Sequence, residues 1–388
     1  MKEVDMQYRK LGKTGLMVSE IGFGGEWLER HEEDESVALL RYAHERGINI
    51  IDCWMPDPKS RDIIGRGMEG CREQWMVQGH IGSTWQNGQY TRTRDVEQCR
   101  IAFEDLLRRL RTDYVDLGMI HYVDREEDWK EKLPGAYLDY VMSLKAEGKI
   151  RHIGLSTHNP AIAKMAAESG FVEMILFSVN PAFDLMPPTD NIENYFAAEY
   201  AEELAGINPV RADLYRRCEQ LDVGLTCMKP FAGGRLFDAG RSPFRMAMTP
   251  VQCIHYCLTR PAVASVLCGY DTRAQVDAAV AYETASDEER NYAKALAFAP
   301  AHTFAGGECT YCGHCKPCPA NIDIAMVNKL YDLGVMQPEL PASLREHYAA
   351  LAHHADECIA CRGCESRCPF GVKVAERMKK AAALFGDH

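Results

Sequence analysis

No uninterrupted apolar stretch in the 388 residues approaches the ~18 that a membrane-spanning helix needs, so no span is expected. The chain also lacks any Lys/Arg-rich run and carries a net charge of −12, which argues against nucleic acid or an anionic membrane surface as a partner. The first ten residues, MKEVDMQYRK, have no apolar core of a secretory signal, and the expectation is a cytoplasmic protein in a reducing compartment. A glycine-rich dinucleotide loop is missing too: GFGGE at Gly22 to Glu26 is not G-x-G-x-x-G, which weighs against a doubly wound sheet.

What the chain has in plenty is cysteine. Of its sixteen cysteines, eight form two runs near the C-terminus, Cys309, Cys312, Cys315 and Cys318, then Cys358, Cys361, Cys364 and Cys368, each run ending in Cys-Pro. Two residues separate successive thiols, except for three before Cys368. Thiolates suit iron, and short Cys-x-x-Cys steps let one loop wrap a cubane while a distant cysteine completes the shell. The fourth cysteine of each run usually serves the other cluster. Cys309, Cys312, Cys315 and Cys368 are therefore assigned to one [4Fe–4S] centre, and Cys358, Cys361, Cys364 and Cys318 to the second. A disulfide framework would need an oxidising compartment, and zinc would not require the third Cys-x-x step or the terminal Cys-Pro. With every iron ligated by protein, the clusters are expected to carry electrons rather than bind substrate. Such centres are oxygen-sensitive as a class, which points to an anaerobic cell.

From Val18 to about Tyr282, short β-like apolar runs alternate with amphipathic helical stretches. Strands are expected at Val18–Phe23, Ile48–Asp52, Trp75–Gln78, Tyr114–Ile120, His152–Leu155, Glu173–Ser178, Val223–Met228 and Ala264–Leu267. Eight strand–helix units predict an α/β fold, a (β/α)8 TIM barrel, whose usual length is ~250 residues. The barrel domain is set at residues 1–285 and a helical connector with the two-cluster ferredoxin-like domain at 286–388. An acidic, aromatic insertion, Ala182 to Pro209, follows the sixth strand, on the face where barrels place their catalytic loops.

The motifs MQYRKLGKTGLMVSEIGFGG, RGINIIDCW, DYVDLGMIHYVD, GKIRHIGLSTHNP and VASVLCGYDTRAQV, in that order, resemble the landmarks of aldo-keto reductases. With the cysteine runs added, nearly the whole chain is similar to aldo-keto-reductase-like proteins that carry a C-terminal 4Fe-4S dicluster domain. The resemblance implies hydride transfer between NAD(P)H and a carbonyl, with a tyrosine as proton donor tuned by a lysine and an aspartate, and a histidine orienting the carbonyl. Its aspartate falls on Asp52 and its histidine on His121. Asp57 stands where the tyrosine should be, and His80 where the lysine should be.

Asp52, His80, His121 and Asp57 are thus the candidate catalytic set. Imidazole titrates near neutrality, whereas an exposed aspartate is already ionised. Three readings follow. His80 replaces the tyrosine as acid/base, with His121 orienting the substrate and Asp52 fixing an imidazole; or a tyrosine from elsewhere, Tyr90 or Tyr122, enters the site; or carbonyl reduction has given way to a lyase or isomerase reaction, or to a non-catalytic electron-transfer role. Trp54 and Trp85 could wall the pocket. For the cofactor, the resemblance implies contacts at Ser156, Gly269, Arg273 and Gln275, and Lys229 with the backbone of Gly233 and Gly234 could meet a pyrophosphate. The nicotinamide-reading glutamine is replaced by Leu176 or Phe177, and the adenine-site Glu-Asn pair by Ala278 and Ala279. NADP(H) is therefore doubtful, and flavin is an alternative. The expected protein is an iron–sulfur oxidoreductase passing electrons between an external carrier, such as ferredoxin, and a small carbonyl-like substrate.

Overall fold

The structure, a computed structural model, describes residues 5–184, 209–292, 295, 309, 315–335, 339–368 and 371–386. Cys312 and all but the ends of the Ala182–Pro209 insertion lie outside the described residues. The chain divides into two compact units, Met1–Thr303 and Phe304–His388.

In the first unit an antiparallel hairpin, β1 (Tyr8–Lys10) with β2 (Met17–Ser19), precedes the barrel. Barrel strands β3 (Ile21–Gly24), β4 (Ile50–Cys53) and β5 (Met76–Ile81) are followed by a second antiparallel hairpin, β6 (Ser83–Gln86) with β7 (Gln89–Arg92). Then come β8 (Val115–Ile120), β9 (Ile150–Thr157), β10 (Met174–Ser178), β11 (Gly224–Met228) and β12 (Val263–Gly269). Eight strands close in the order β3-β4-β5-β8-β9-β10-β11-β12, all neighbours parallel. All eight expected strands are present. Every residue of β8 and β10 is buried, as required of strands lined by helices outside and side chains inside.

The barrel is plugged from the hairpin side by Leu11, fully buried with Val18, Ile50, Leu117, Met119, Met174 and Leu176. The loop after β1 passes so close to β11 that a Cβ on Gly12 would lie 2.3 Å from Gly224 N, at a backbone φ of +48°. Only glycine fits there. Past β12 the chain keeps to the barrel longer than the expected boundary at 285/286: Gln252 Nε2 donates to Asn291 O at 2.8 Å, and the Tyr292 ring meets Tyr256 edge-on at 5.3 Å. These contacts join residues 286–292 to the first compact unit, Met1–Thr303.

The second unit is helical, with Ile324–Val335, Ala342–Ala349, Gly363–Arg367 and Val374–Phe385. Its core gathers Ile322, Val327, Tyr348, Val374, Met378 and Phe385, with Tyr348 and Phe385 stacked at 4.1 Å. No helix among the described residues is long and apolar enough to cross a membrane.

Helix Pro58–Gly67 crosses helix Val96–Leu110 at Gly65, where a Cβ would stand 2.1 Å from Arg109 O. Backbone on both sides cannot yield cheaply. Gly65→Ala is therefore expected to lower stability by about 1–3 kcal/mol, seen as an earlier chemical-denaturation midpoint followed by far-UV circular dichroism.

Candidate active site

Strands β4, β5 and β8 are consecutive in the barrel, so their C-terminal ends bring Asp52, His80 and His121 side by side. Their polar atoms form a chain. His80 Nε2 lies 2.8 Å from Asp52 Oδ1, and His80 Nδ1 lies 2.8 Å from His121 Nδ1. Asp52 Oδ1 also accepts from Gln78 Nε2 at 2.9 Å, and Gln78 Oε1 accepts from Thr226 Oγ1 at 2.8 Å. At the other end Tyr90 Oη lies 2.7 Å from His121 Nε2. The structure thus joins three of the four expected catalytic residues and adds Tyr90, one of the two tyrosines considered as substitutes.

Tyr90 arrives on the β6–β7 hairpin. Its two-residue turn, Asn87-Gly88, has φ of +50° and +74°, the signature of a hairpin turn that matches strand twist. The Asn-Gly pair is the one sequence signal that marks this element. Tyr90 meets the Trp54 ring edge-on at 5.3 Å, and Trp54 stacks on His121 at 6.0 Å. The half-buried Trp85 packs against Trp54, Met55 and Tyr90. His121 is held through its backbone as well: its N–H donates to Ile81 O, and its carbonyl accepts from Arg94 Nη2 at 2.7 Å. Tyr90, His80 and His121 are each only 2% exposed, so the chain of groups is dry. Burial, then His80, Arg94, Arg92 and His158, hold the His121 imidazole well below its ordinary pKa near 6.5, so it is neutral at pH 7.

Asp57 is not part of this chain. Pro58 starts a helix, and Asp57 caps it, its Oδ1 accepting from Ser60 N at 3.0 Å. Of the expected cofactor contacts, Ser156 Oγ accepts from Tyr122 N at 2.7 Å, and the neighbouring Thr157 hydroxyl donates to Asp124 at 2.9 Å. Leu176 and Phe177 are buried and apolar. Neither side chain offers the hydrogen bonds that a glutamine would give a nicotinamide. Exposed Gln275 accepts from Asp271 N at 2.6 Å, and Arg273 lies over the Tyr42 ring at 5.0 Å; Gly269 ends β12 in the open. Gly233 and Gly234, both at positive φ, form the loop after β11.

Lys229 belongs to a second polar constellation that sequence reasoning missed. Its Nζ lies 3.0 Å from His158 Nε2, and His158 Nδ1 lies 2.9 Å from Asp124 Oδ2. Glu26, just past β3, is the other omission: burial, against the pull of Lys229 and Arg30, pushes its carboxyl up to about 8, so it is neutral at pH 7.

In the second unit a cavity is lined by Cys318, Cys358, Cys361 and Cys364 together with Arg362 and Arg367. Those four thiols are the set assigned from spacing to the second cluster, and two arginines suit the negative charge of an iron–sulfur thiolate centre. The residues fit a cubane. Arg367 Nη2 donates to Cys315 O at 2.7 Å and Pro317 O at 2.6 Å, tying the second cysteine run to the first. Cys309 and Cys368 are half-buried and Cys315 is buried, while Cys361 is exposed. Among the described residues no three Cys, His, Asp or Glu side chains converge as a single ion requires; a cubane holds each thiolate on a different iron.

A closed eight-stranded parallel barrel with polar groups at its C-terminal strand ends defines the architectural class, an aldo-keto-reductase-type TIM barrel. The sequence model of the Aldo/keto reductase family matches residues 20–251, and that of the 4Fe-4S dicluster domain matches residues 305–372. The chain belongs to the aldo/keto reductase family and carries a C-terminal 4Fe-4S dicluster domain. It is 27% identical over 279 residues to the uncharacterized oxidoreductase YqkF of Bacillus subtilis, covering 68% of this chain and 87% of the relative. It is 25% identical over 311 residues to L-galactose dehydrogenase of Arabidopsis thaliana, covering 72% and 88%. The holo form of aldo-keto reductase AKR11C1 from Bacillus halodurans superposes with a TM-score of 0.59 at 22% identity, over 77% of this chain and 98% of that one. The protein is an oxidoreductase of this superfamily.

The neutral, buried His121 makes a prediction about acid stability. Unfolded histidine binds a proton as pH falls through about 6.5, whereas folded His121 does not, so its contribution to stability is lost below that pH. Glu26 and Glu283, raised to about 8 and about 7, act in the opposite sense over the same range, so the total slope is no test. The difference is. Between pH 6.5 and 5, stability of wild type should fall more steeply than that of His121→Asn by up to about 1.4 kcal/mol per pH unit, measured by denaturation at a series of pH values.

Proposed function

We propose that this protein couples a one-electron carrier to a small organic substrate in the barrel mouth. On this reading two [4Fe–4S] centres, ligated as assigned above, supply electron transfer when bound. Asp52, His80 and His121 perform the acid–base work that a tyrosine and lysine perform elsewhere in the family. The observation that carries the reading is the buried Asp52–His80–His121 contact at the ends of three adjacent strands, in a chain that also carries the dicluster domain.

The roles of the residues follow from their surroundings. Asp52, fixed by Gln78, orients His80. His80 and His121 hold or move a proton between their Nδ1 atoms. The dry setting strengthens each of these contacts relative to water. The carrier is proposed to be ferredoxin or another one-electron protein, and the compartment to be the cytoplasm of an anaerobic cell. With the nicotinamide-reading end mismatched, no step is assigned to NADP(H); flavin is equally unassigned.

Protein purified without oxygen should contain about eight irons per chain and show [4Fe–4S] signals by electron paramagnetic resonance on reduction. Cys318→Ala should lose the second centre, leaving about four. His121→Ala should keep all its iron and lose substrate turnover. Zinc in place of iron, or fewer than about eight irons in the wild type, would overturn the cluster assignment.

A further inference from the structure

The hydrogen bonds from Thr226 to Tyr90 admit few proton arrangements. Gln78 presents its oxygen to Thr226 and its amide N–H to Asp52, so Asp52 Oδ1 is met by a donor from that side. An ionised carboxylate only accepts, and His80 Nε2 must then carry a proton toward it. If His80 is neutral, its Nδ1 is a lone pair, and the 2.8 Å contact requires His121 Nδ1 to be the donor. Neutral His121 in turn offers a lone pair at Nε2, which the Tyr90 hydroxyl fills at 2.7 Å. From Tyr90 to Asp52 these donors point one way, while Gln78 meets Asp52 from the other side.

We infer that Tyr90, His121 and His80 form a polarised proton relay, with Tyr90 as the terminal acid–base group that takes a proton from a substrate hydroxyl. The inference rests on the barrel mouth being the reaction site, as proposed above, but not on the clusters. In the proton-accepting direction the substrate O–H bond breaks and its proton goes to the Tyr90 oxygen. The Tyr90 proton passes to His121 Nε2, and the His121 Nδ1 proton passes to His80 Nδ1. One proton has left the substrate and one has arrived on His80, which becomes an imidazolium beside the Asp52 carboxylate. Asp52 itself takes no proton. It stabilises the charge and fixes the ring, the role that a buried aspartate plays beside a histidine base.

From that loaded state the chain runs in reverse. His80 Nδ1–H then faces His121 Nδ1, His121 Nε2–H faces the phenol oxygen, and the Tyr90 hydroxyl is turned outward to give its proton to an alkoxide or carbonyl oxygen. The surroundings of His121 favour the first state at rest. Burial, His80, Arg94 and Arg92 disfavour a positive charge on His121, so that ring rests neutral between Tyr90 and His80. Tyr90 is also held on a rigid mount: the hairpin register pairs it with Trp85, and Ser83 Oγ donates to Trp54 O at 2.6 Å.

The relay specifies a tautomer for each ring, which nitrogen NMR of histidine-labelled protein reads without substrate. His80→Gln and His121→Gln identify the two sets of signals. The expected result at pH 7.5 is His121 as the neutral Nδ1–H tautomer and His80 with a protonated Nε2. In Tyr90→Phe the donor to His121 Nε2 is gone, and His121 should shift to a mixture containing the Nε2–H form, with folding checked by circular dichroism. A wild-type His121 in the Nε2–H tautomer, or a tautomer unmoved by Tyr90→Phe, overturns the relay. Dithionite reduction of the clusters in the same samples, followed by visible absorbance, reports separately on the redox reading: it should be unchanged in Tyr90→Phe.

Discussion

The contact between Asp52 and His80 is the constraint on which the barrel mouth depends. A carboxylate only 5% exposed cannot rely on water, and its desolvation must be met by donors that the fold supplies. Gln78 and His80 are those donors, both delivered by β5 from positions two apart, on the same face of one strand. Once His80 is turned to serve Asp52, its other nitrogen is aimed at β8, and His121 is there to meet it. The register of three adjacent parallel strands thus decides the order of the groups. A one-residue slip of β5 would put Gln78 and His80 on the outer face and leave Asp52 buried without partners.

Much of this fold is legible in the sequence because parallel barrel strands are short apolar runs between amphipathic helices. The runs around Ile50, Leu117, Ile175 and Val266 could hardly be anything else. The second hairpin was harder. β6 and β7 carry Thr84, Gln86, Gln89 and Thr91, polar residues that do not read as a buried strand, and only Asn87-Gly88 marks the turn. Asp57 shows the opposite failure. Aligned by its distance from Asp52, it occupies a catalytic position, but Asp-Pro is also how a helix begins, and local capping explains the residue completely. Tyr90 was identifiable only as one of two candidate phenols, with Tyr122, because nothing in spacing tells how far a hairpin will reach across the mouth.

The cluster cysteines were legible for a different reason. Their chemistry is set by local spacing, which survives whatever the surrounding helices do. The crossed sharing of ligands, with Cys318 joining Cys358, Cys361 and Cys364, is a tertiary statement, and the cavity lined by those four thiols supports it. Arg367 lay outside that reading. It sits within the second run, yet its guanidinium serves carbonyls of the first, so it holds together two loops that the sequence places fifty residues apart.

On the proposed reading, His80 standing where the resemblance expects a lysine fits a phenol that approaches from another side. An ammonium has three donors and no acceptor; placed beside Asp52 it can polarise a phenol directly, but it cannot pass a directional chain onward. An imidazole both gives and takes, so His80 can hand its second nitrogen to another ring. That second ring, His121, then lies between the carboxylate and any phenol, and the phenol must approach from the far side of His121. The loop after Asp52 cannot supply it, because Pro56 and Pro58 turn that segment into a helix start. The hairpin after β5 emerges beside β8 and can. Tyr90 on that hairpin, Asp57 as a helix cap and a dry pair of histidines are mutually compatible parts of the proposed relay.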